Sequence, residues 1–431
     1  VTRPDDFPID QEPYSMTASN PGISDPSLGG NKLTNYFDAG GTVTWITSSL
    51  ASGVQDSEYS ATLQATDADE TAIEYVVTAG SLPTGLSLNS STGVISGTPT
   101  NVEDQTFTVT ATDAGGNSIS RNFSISVVPP YAEYLVIAGG GGGGRAAGAG
   151  GGAGGYRSSV VGESSGGGQS AEAPVSIQLN TNYIVTVGAG GAGQTEGILT
   201  PSGTNSVFGA ITSDGGGGAG GYNANNTPSG TTLGRSGGSG GGTWNNNTVG
   251  AGIFGQGYDG GKGTPGPGYG ETAGGGGGAG GVGTDGVYNS SNGNGGSGVV
   301  STITGGSVRR SGGGGSGCGS ANILSGGLPG AGGGGRGGYP LTSAKDGGNA
   351  VSNTGGGGGG SSYTGNLASL GIAGNGGSGV VILRYPDNFQ ITSGPGLESY
   401  TLNKNGQNTT VFTSGDDTIQ FTGTLAASTV A

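Results

Sequence analysis

Residues 139–379 hold 90 of the chain's 107 glycines, many in unbroken runs at 139–144, 274–278 and 355–360. A stretch of that composition has no ordinary side-chain core. Glycine has nothing to bury and loses the most backbone entropy on folding. A linker would account for the glycine but not for the length, and it would not carry the apolar segments 134–138, 183–187 and 380–385. The composition predicts extended polyglycine segments packed side by side. Backbones without Cβ atoms approach closely and hydrogen-bond laterally, as at the crowded axis of collagen. Strict Gly-X-Y periodicity fails within a few residues, and the 18 prolines have no triplet placement, which disfavours collagen itself. Held by its backbone, such a region leaves its connecting loops free to vary, as a display scaffold does.

The bulk properties narrow the partners. At 431 residues the chain is long enough for two to four domains, and its net charge of −15 disfavours nucleic acid and anionic membrane, both of which reward a basic face. No apolar stretch approaches the ~18 residues of a membrane helix, so membrane insertion is not expected. No signal peptide is visible, and the start at Val1 reads as that of a processed product or fragment. With one cysteine, Cys318, no internal disulfide forms, and the residue reads as a small side chain within a glycine run in preference to an intermolecular or reactive thiol.

Five regions follow from composition. Residues 1–41 are rich in Pro, Asp and Asn and read as an extended N-terminal arm, an attachment segment in preference to a flexible lead-in. Residues 42–128 hold short β-rich runs separated by turn signals, the pattern of a small antiparallel sandwich. Alternation in Phe107, Val109, Ala111 and in Phe123, Ile125, Val127 turns one face inward. Residues 129–133 form a linker around Pro129-Pro130. Residues 134–385 form the glycine-rich unit, whose strand-like ends 134–138 and 380–385 are expected to lie together and close it. Segments 175–179, 183–187, 207–211 and 299–303 are expected to add strands or apolar caps. Residues 386–431 read as a β meander that docks on the glycine unit or on another copy. The expected fold is mainly β with essentially no α-helix: an Ig-like sandwich, then a bundle of extended glycine helices with β caps.

Two resemblances sharpen this reading. Leu82-Pro83-Thr84-Gly85-Leu86-Ser87-Leu88, then Thr92-Gly93-Val94-Ile95-Ser96-Gly97-Thr98-Pro99, closed by 108–113, resembles the Ig-like and cadherin-like modules of bacterial and phage proteins. The resemblance implies a spacer. Cadherin relatives bind calcium between domains, which makes Asp67, Asp69 and Asp113 weak calcium candidates. The dense Asp/Asn linker motif of those relatives is absent, so solvated turn acids remain the other reading. The opening Tyr134-Leu135-Val136-Ile137-Ala138 with its following glycines, and the closing Gly377-Ser378-Gly379-Val380-Val381-Ile382-Leu383-Arg384-Tyr385, resemble the glycine-rich domains of marine phage and cyanophage virion proteins. They are similar also to the polyglycine-II adhesin tips of long tail fibres. There, stacked glycine helices carry variable loops at one end that bind host proteins or glycans. This chain departs from those tips in placing a β-rich tail after the glycine region.

Binding would then sit in the aromatic- and Asn-rich inserts: Tyr222, Asn225, Trp244, Asn245, Asn246, Phe254, Tyr258, Tyr269, Tyr288 and Tyr339. Aromatic faces stack on sugar rings and amides bond hydroxyls. A tyrosine beside glycine equally serves as a cap over a rod end. Trp244 leads because no adjacent apolar residue supplies a local core. Enzyme chemistry is not expected. There is no histidine for a Ser-His-Asp or His-metal site, and the many Gly-x-Gly-x-x-Gly matches arise from composition. Asp416-Asp417 are adjacent on a strand and point to opposite faces, unsuited to flank one glycosidic bond. No cofactor is expected. The implied function is a virion fibre or adhesin-type protein displaying loops for host attachment, extracellular or on the virion. Its partners would be other copies of itself, virion proteins, and a host surface glycan or protein. The alternatives are a structural filament or capsid-decoration subunit without receptor binding and, disfavoured by the irregular loops, an ice-binding protein.

Overall fold

Large apolar side chains occur mainly at 42–128 and at a few points from 131 onward, and these are where the β-sheets form. The computed structural model describes residues 41–194, 200–221, 233–244, 248–264, 272–319, 325–339, 345–363 and 370–423. The arm at 1–40 and the end of the tail at 424–431 lie outside them. Two compact units divide at residue 128.

The first unit is a β-sandwich. One sheet orders Gly53–Val54, Ser118–Val128, Asp104–Thr112 and Glu74–Ala79, and another orders Tyr59–Thr62, Val94–Gly97 and Leu86–Leu88. The inward alternation holds: Phe107, Val109, Ala111, Phe123, Ile125 and Val127 are all buried and share a core with Ile95, Leu63 and Tyr75. Trp45 packs edge-on against Phe123 with ring centroids 5.1 Å apart. With no disulfide available, this apolar cluster holds the two sheets together.

The second unit is founded on a ten-stranded sheet. Its central order is Tyr156–Ser158, Tyr131–Ile137, Val380–Pro386, Gln407–Gly423, Asn182–Thr186, Ser206–Phe208 and Ile211–Ser213. The two ends of the glycine-rich region pair antiparallel from Glu133↔Arg384 to Ile137↔Val380, with Arg384 Nε donating to Glu133 Oε2 at 2.6 Å. Both faces of this pair are covered, so both strands are apolar at nearly every position. Tyr134, Val136, Val381 and Leu383 face one cluster, and Leu135, Ile137, Val380 and Ile382 face the other. The residues after 386 do not form a meander of their own. Gln407–Gly423 hydrogen-bonds to Val380–Pro386, Asn182–Thr186, Phe389–Ser393 and Leu397–Lys404, and its Phe412, Ile419 and Phe421 complete the larger cluster. A lone meander could not have buried those three side chains.

From this sheet the glycine segments run outward and back. Residues 139–144 lead away from it, and their six amides bond in turn to Thr204, Gly377, Gly152, Pro201, Gly374 and Ala149. Residues three apart therefore meet the same neighbour: 139 and 142 meet segment 201–204, 140 and 143 meet 374–377, and 141 and 144 meet 149–152. Their carbonyls accept in the same rhythm from 216 and 219, from 191 and 194, and from 358 and 361, so the segment has six neighbours and all its bonds lie between 2.8 and 3.0 Å. Residues 148–153, 274–279, 312–317 and 357–361 follow the same three-residue rule with their own neighbours, while the Gly356 amide donates to Thr354 Oγ1.

Glycine is required there by close approach and not by unusual dihedrals. No glycine in 139–144, 148–153, 274–279, 312–317 or 356–361 has positive φ. A Cβ on Gly140, Gly141, Gly142 or Gly143 would overlap the carbonyl oxygen of Gly356, Gly217, Ala192 or Gly359 respectively. At the rim, where a segment lacks a neighbour, side-chain oxygens take the carbonyl's place. Asp285 accepts from Lys262 N, Asp346 from Ile372 N, and Asn294 from Leu328 N, each at 2.7 Å.

Gly142→Ala is therefore expected to lower the stability of this unit by at least ~1–3 kcal/mol, as overpacking does. Gly306→Ala meets nothing within 4 Å and serves as the control, with little change expected. Denaturant midpoints of the two variants check this; equal midpoints would contradict the packing described.

Candidate functional site

The bond register fixes the direction of each segment. Partner numbers that rise together mark parallel neighbours, and numbers that move oppositely mark antiparallel ones. By this rule 139–144, 191–194, 216–219, 239–242, 258–261, 281–284, 312–317, 335–338 and 356–361 run away from the sheet. Residues 148–153, 201–204, 250–253, 274–279, 293–296, 327–330, 345–348 and 374–377 run back. The residues flanking 195–199, 222–232, 245–247, 265–271, 320–324, 340–344 and 364–369 consequently all sit at the end away from the sheet. The turns 145–147 and 285–292 share that outer end. Hairpins and tight turns such as Val299–Ser301 with Val308–Arg310 serve the sheet end.

The candidates divide between the ends. Tyr222, Asn225, Asn245, Asn246 and Tyr269 lie outside the described residues, though the segments that lead to them reach the outer end. Trp244, Tyr288 and Tyr339 are at or close to that end and half-buried. Phe254 and Tyr258 are not with them. Phe254 is in the turn after the inward segment 250–253, where it is 80% exposed, and Tyr258 opens the next outward segment, so both are at the sheet end. Sequence proximity suggested one insert from 254 to 258; the chain's reversal there places it opposite the others.

Trp244 does have a local core, contrary to the sequence expectation. It packs against two buried clusters, Ala146, Ala147 and Tyr363, which Leu370 also covers, and Ala149, Ala219 and Ala273. None of these is near it in sequence, so no local signal could reveal them. Ala146 and Ala147 both take left-handed φ of 57°, a conformation that costs an L-residue roughly 1–2 kcal/mol. Ala146 N donates to Ser361 Oγ at 3.1 Å, and Arg145 N to Gln194 Oε1 at 2.8 Å. Cys318 is buried beside this cluster; its amide donates to Ser362 Oγ and its carbonyl accepts from Tyr363 N. Tyr363 is the member that sequence reasoning missed, and its place two serines beyond the glycine run 355–360 is the available signal.

Charge at the outer end is mixed. Arg145, Lys262, Arg336 and Lys345 stand toward it with Asp285 and Asp346 among the described residues, and the Arg336 guanidinium lies 4.8 Å from the Tyr339 ring centroid. Among the described residues, acidic side chains therefore do not predominate at this end.

A family model for a glycine-rich domain matches residues 116–386. The chain belongs to this glycine-rich domain family. A second model, described as "Putative Ig domain", matches residues 41–128. Neither is an enzyme family. Among solved structures, an endo-fucoidan hydrolase of glycoside hydrolase family 107 is 26% identical over 21% of this chain and 14% of its own, with a TM-score of 0.19. The human desmocollin-1 ectodomain is 18% identical over 22% of each chain, also at 0.19. The protocadherin gammaB4 extracellular domain is 15% identical over 22% of this chain and 18% of its own, again at 0.19. The chain thus covers under a quarter of each of these structures. No curated protein matches it.

The remaining candidates lie in the first unit and in the ten-stranded sheet. Asp67 accepts from Thr71 N at 3.0 Å and Thr71 Oγ1 at 2.7 Å, and these bonds hold its carboxyl below the usual range. Asp113 accepts from Asn117 N at 2.7 Å, and Asp69 is exposed. Among the described residues no three acidic or cysteine side chains are grouped to hold a metal. Asp416 accepts from Thr186 Oγ1, and Asp417 from Gly396 N and Thr418 N, so both serve the sheet. No helix among the described residues is long and apolar enough to cross a membrane.

Trp244→Ala is expected to cost about 2 kcal/mol, below the range for a fully buried tryptophan. Phe254→Ala should stay within about 0.5 kcal/mol. Chemical denaturation of both variants checks this, and a silent Trp244→Ala would remove its capping role.

Proposed function

We propose that the chain is a fibre- or adhesin-type structural protein of a virion that displays variable loops for attachment to a host surface. In this reading the glycine segments are polyglycine-II helices in hexagonal array. The observation that supports the array is the three-residue rhythm of lateral bonds with six neighbours per interior segment. The observation that supports the function is that the described residues flanking seven stretches of the chain all lie at one end of the segments. A scaffold whose interior tolerates only glycine, alanine and serine has no freedom to vary inside; recognition falls to its connections.

Those connections supply the right groups. Tyr222, Asn225, Asn245, Asn246 and Tyr269 belong to them, with Tyr288 and Tyr339 close by. Aromatic faces stack on sugar rings, and amides bond hydroxyls. Trp244 acts as the cap that holds the loop bases together, with any ligand contact made through its half-exposed side. Each contact is weak, and several copies on one particle raise the avidity. The Ig-like unit serves as a spacer toward the rest of the virion.

The test is binding of the intact chain to host cells and to a glycan array, before and after residues 222–230 and 265–271 are replaced by Gly-Ser stretches of equal length. Binding is expected to fall at least tenfold with an unchanged melting temperature. If the parent chain binds no surface, and the outer loops are instead buried between copies in the assembled particle, the protein is a filament or decoration subunit.

A further inference from the structure

The strand Leu397–Lys404 is the most exposed of the ten-stranded sheet, with seven of its eight residues exposed. One edge pairs along its length with Gln407–Gly423, from Leu397↔Gly415 to Lys404↔Gln407. The other edge pairs with no described strand. The strand contains no proline, and the one irregularity in the pairing is an extra residue, Thr413, on the opposite strand. Natural sheets usually block such an edge with proline, an inward charge or a bulge. Here the charges stand only toward the ends, as Glu398 and Lys404.

The sequence Leu-Glu-Ser-Tyr-Thr-Leu-Asn-Lys is self-complementary about Thr401. We propose that this strand is a self-association edge, on which a second copy of the chain adds antiparallel across a twofold axis at Thr401. Glu398 then faces the partner's Lys404, Tyr400 faces the partner's Leu402, and Ser399 faces the partner's Asn403. Glu398, Tyr400, Leu402 and Lys404 alternate onto one face, where Tyr400 is 52% and Leu402 44% exposed. The twofold axis makes each pair occur twice, as in any isologous contact. Moving the axis by one residue either way, to Tyr400 or Leu402, sets Glu398 opposite Leu402 or Gly406 and leaves both charges unmatched, so the charges select the register. Cross-strand pairs of opposite charge and aromatic–aliphatic pairs stabilise a sheet, whereas like charges directly opposite destabilise it. The Glu398 carboxylate also accepts from Ser414 Oγ at 2.8 Å, which holds it on this face. The inference does not depend on the attachment reading.

Sedimentation velocity of the full chain over a range of concentrations reads the association, with charge reversals as the probe. The parent chain is expected to dimerise reversibly. Glu398→Lys alone and Lys404→Glu alone each place two like-charge pairs in the interface and should weaken dimerisation about tenfold. The double variant restores opposite charges in exchanged positions and should return within about threefold of the parent. Both sites are exposed, so the fold is retained in all variants. A chain that stays monomeric, a dimer indifferent to the single reversals, or one not recovered by the double reversal would each overturn the proposal.

Discussion

The lateral hydrogen bond between two backbones that carry no Cβ is the contact on which the second unit depends. Each interior segment is satisfied in six directions, and the donors and acceptors of 139–144 are all engaged. This answers the question posed by a region with almost no side chains to bury. Its backbone polar groups, which must be paired once water is excluded, are paired with one another. The same closeness fixes composition, because a Cβ at most of these positions would occupy a neighbour's carbonyl oxygen.

Such an array cannot define its own register, since one glycine is like the next. The definition comes from its borders. At one end the apolar pair Tyr131–Ile137 and Val380–Pro386 sets where the first outward segment begins and the last returning one ends. Along the rim, Asp285, Asp346 and Asn294 accept single backbone amides and pin segments against sliding. At the other end Trp244, Tyr363 and the alanines at 146 and 147 close the bundle. The result is a scaffold framed at its borders by a few side chains.

These border residues also explain what was legible in the sequence. The alternation of Phe107, Val109 and Ala111 and the apolar ends at 134–138 and 380–385 carry long-range information in side chains, and the sandwich and the closing pair followed from them. The glycine runs carry none. Their three-residue bond rhythm has no counterpart in sequence, because every position in a run is identical, and so neither segment order nor direction could be read. For the same reason Phe254 and Tyr258 could not be told apart from the outer-end candidates. Asp285, Asp346 and Asn294 carry no sequence signal of their part, which is to replace a missing neighbour's carbonyl. The tail gave a correct β signal, but only the sheet reveals that Gln407–Gly423 joins strands from 182 to 404.

The central claim is that consecutive residues of an interior segment bond to different neighbours, so none faces water. Amide hydrogen exchange resolved residue by residue over 139–153 tests it most directly. The account predicts slow exchange at every amide of 139–144 and of 148–153, with no alternation, all released together at the free energy of global unfolding. Fast exchange at two of every three amides, or a strand-like alternation of fast and slow sites, would contradict it.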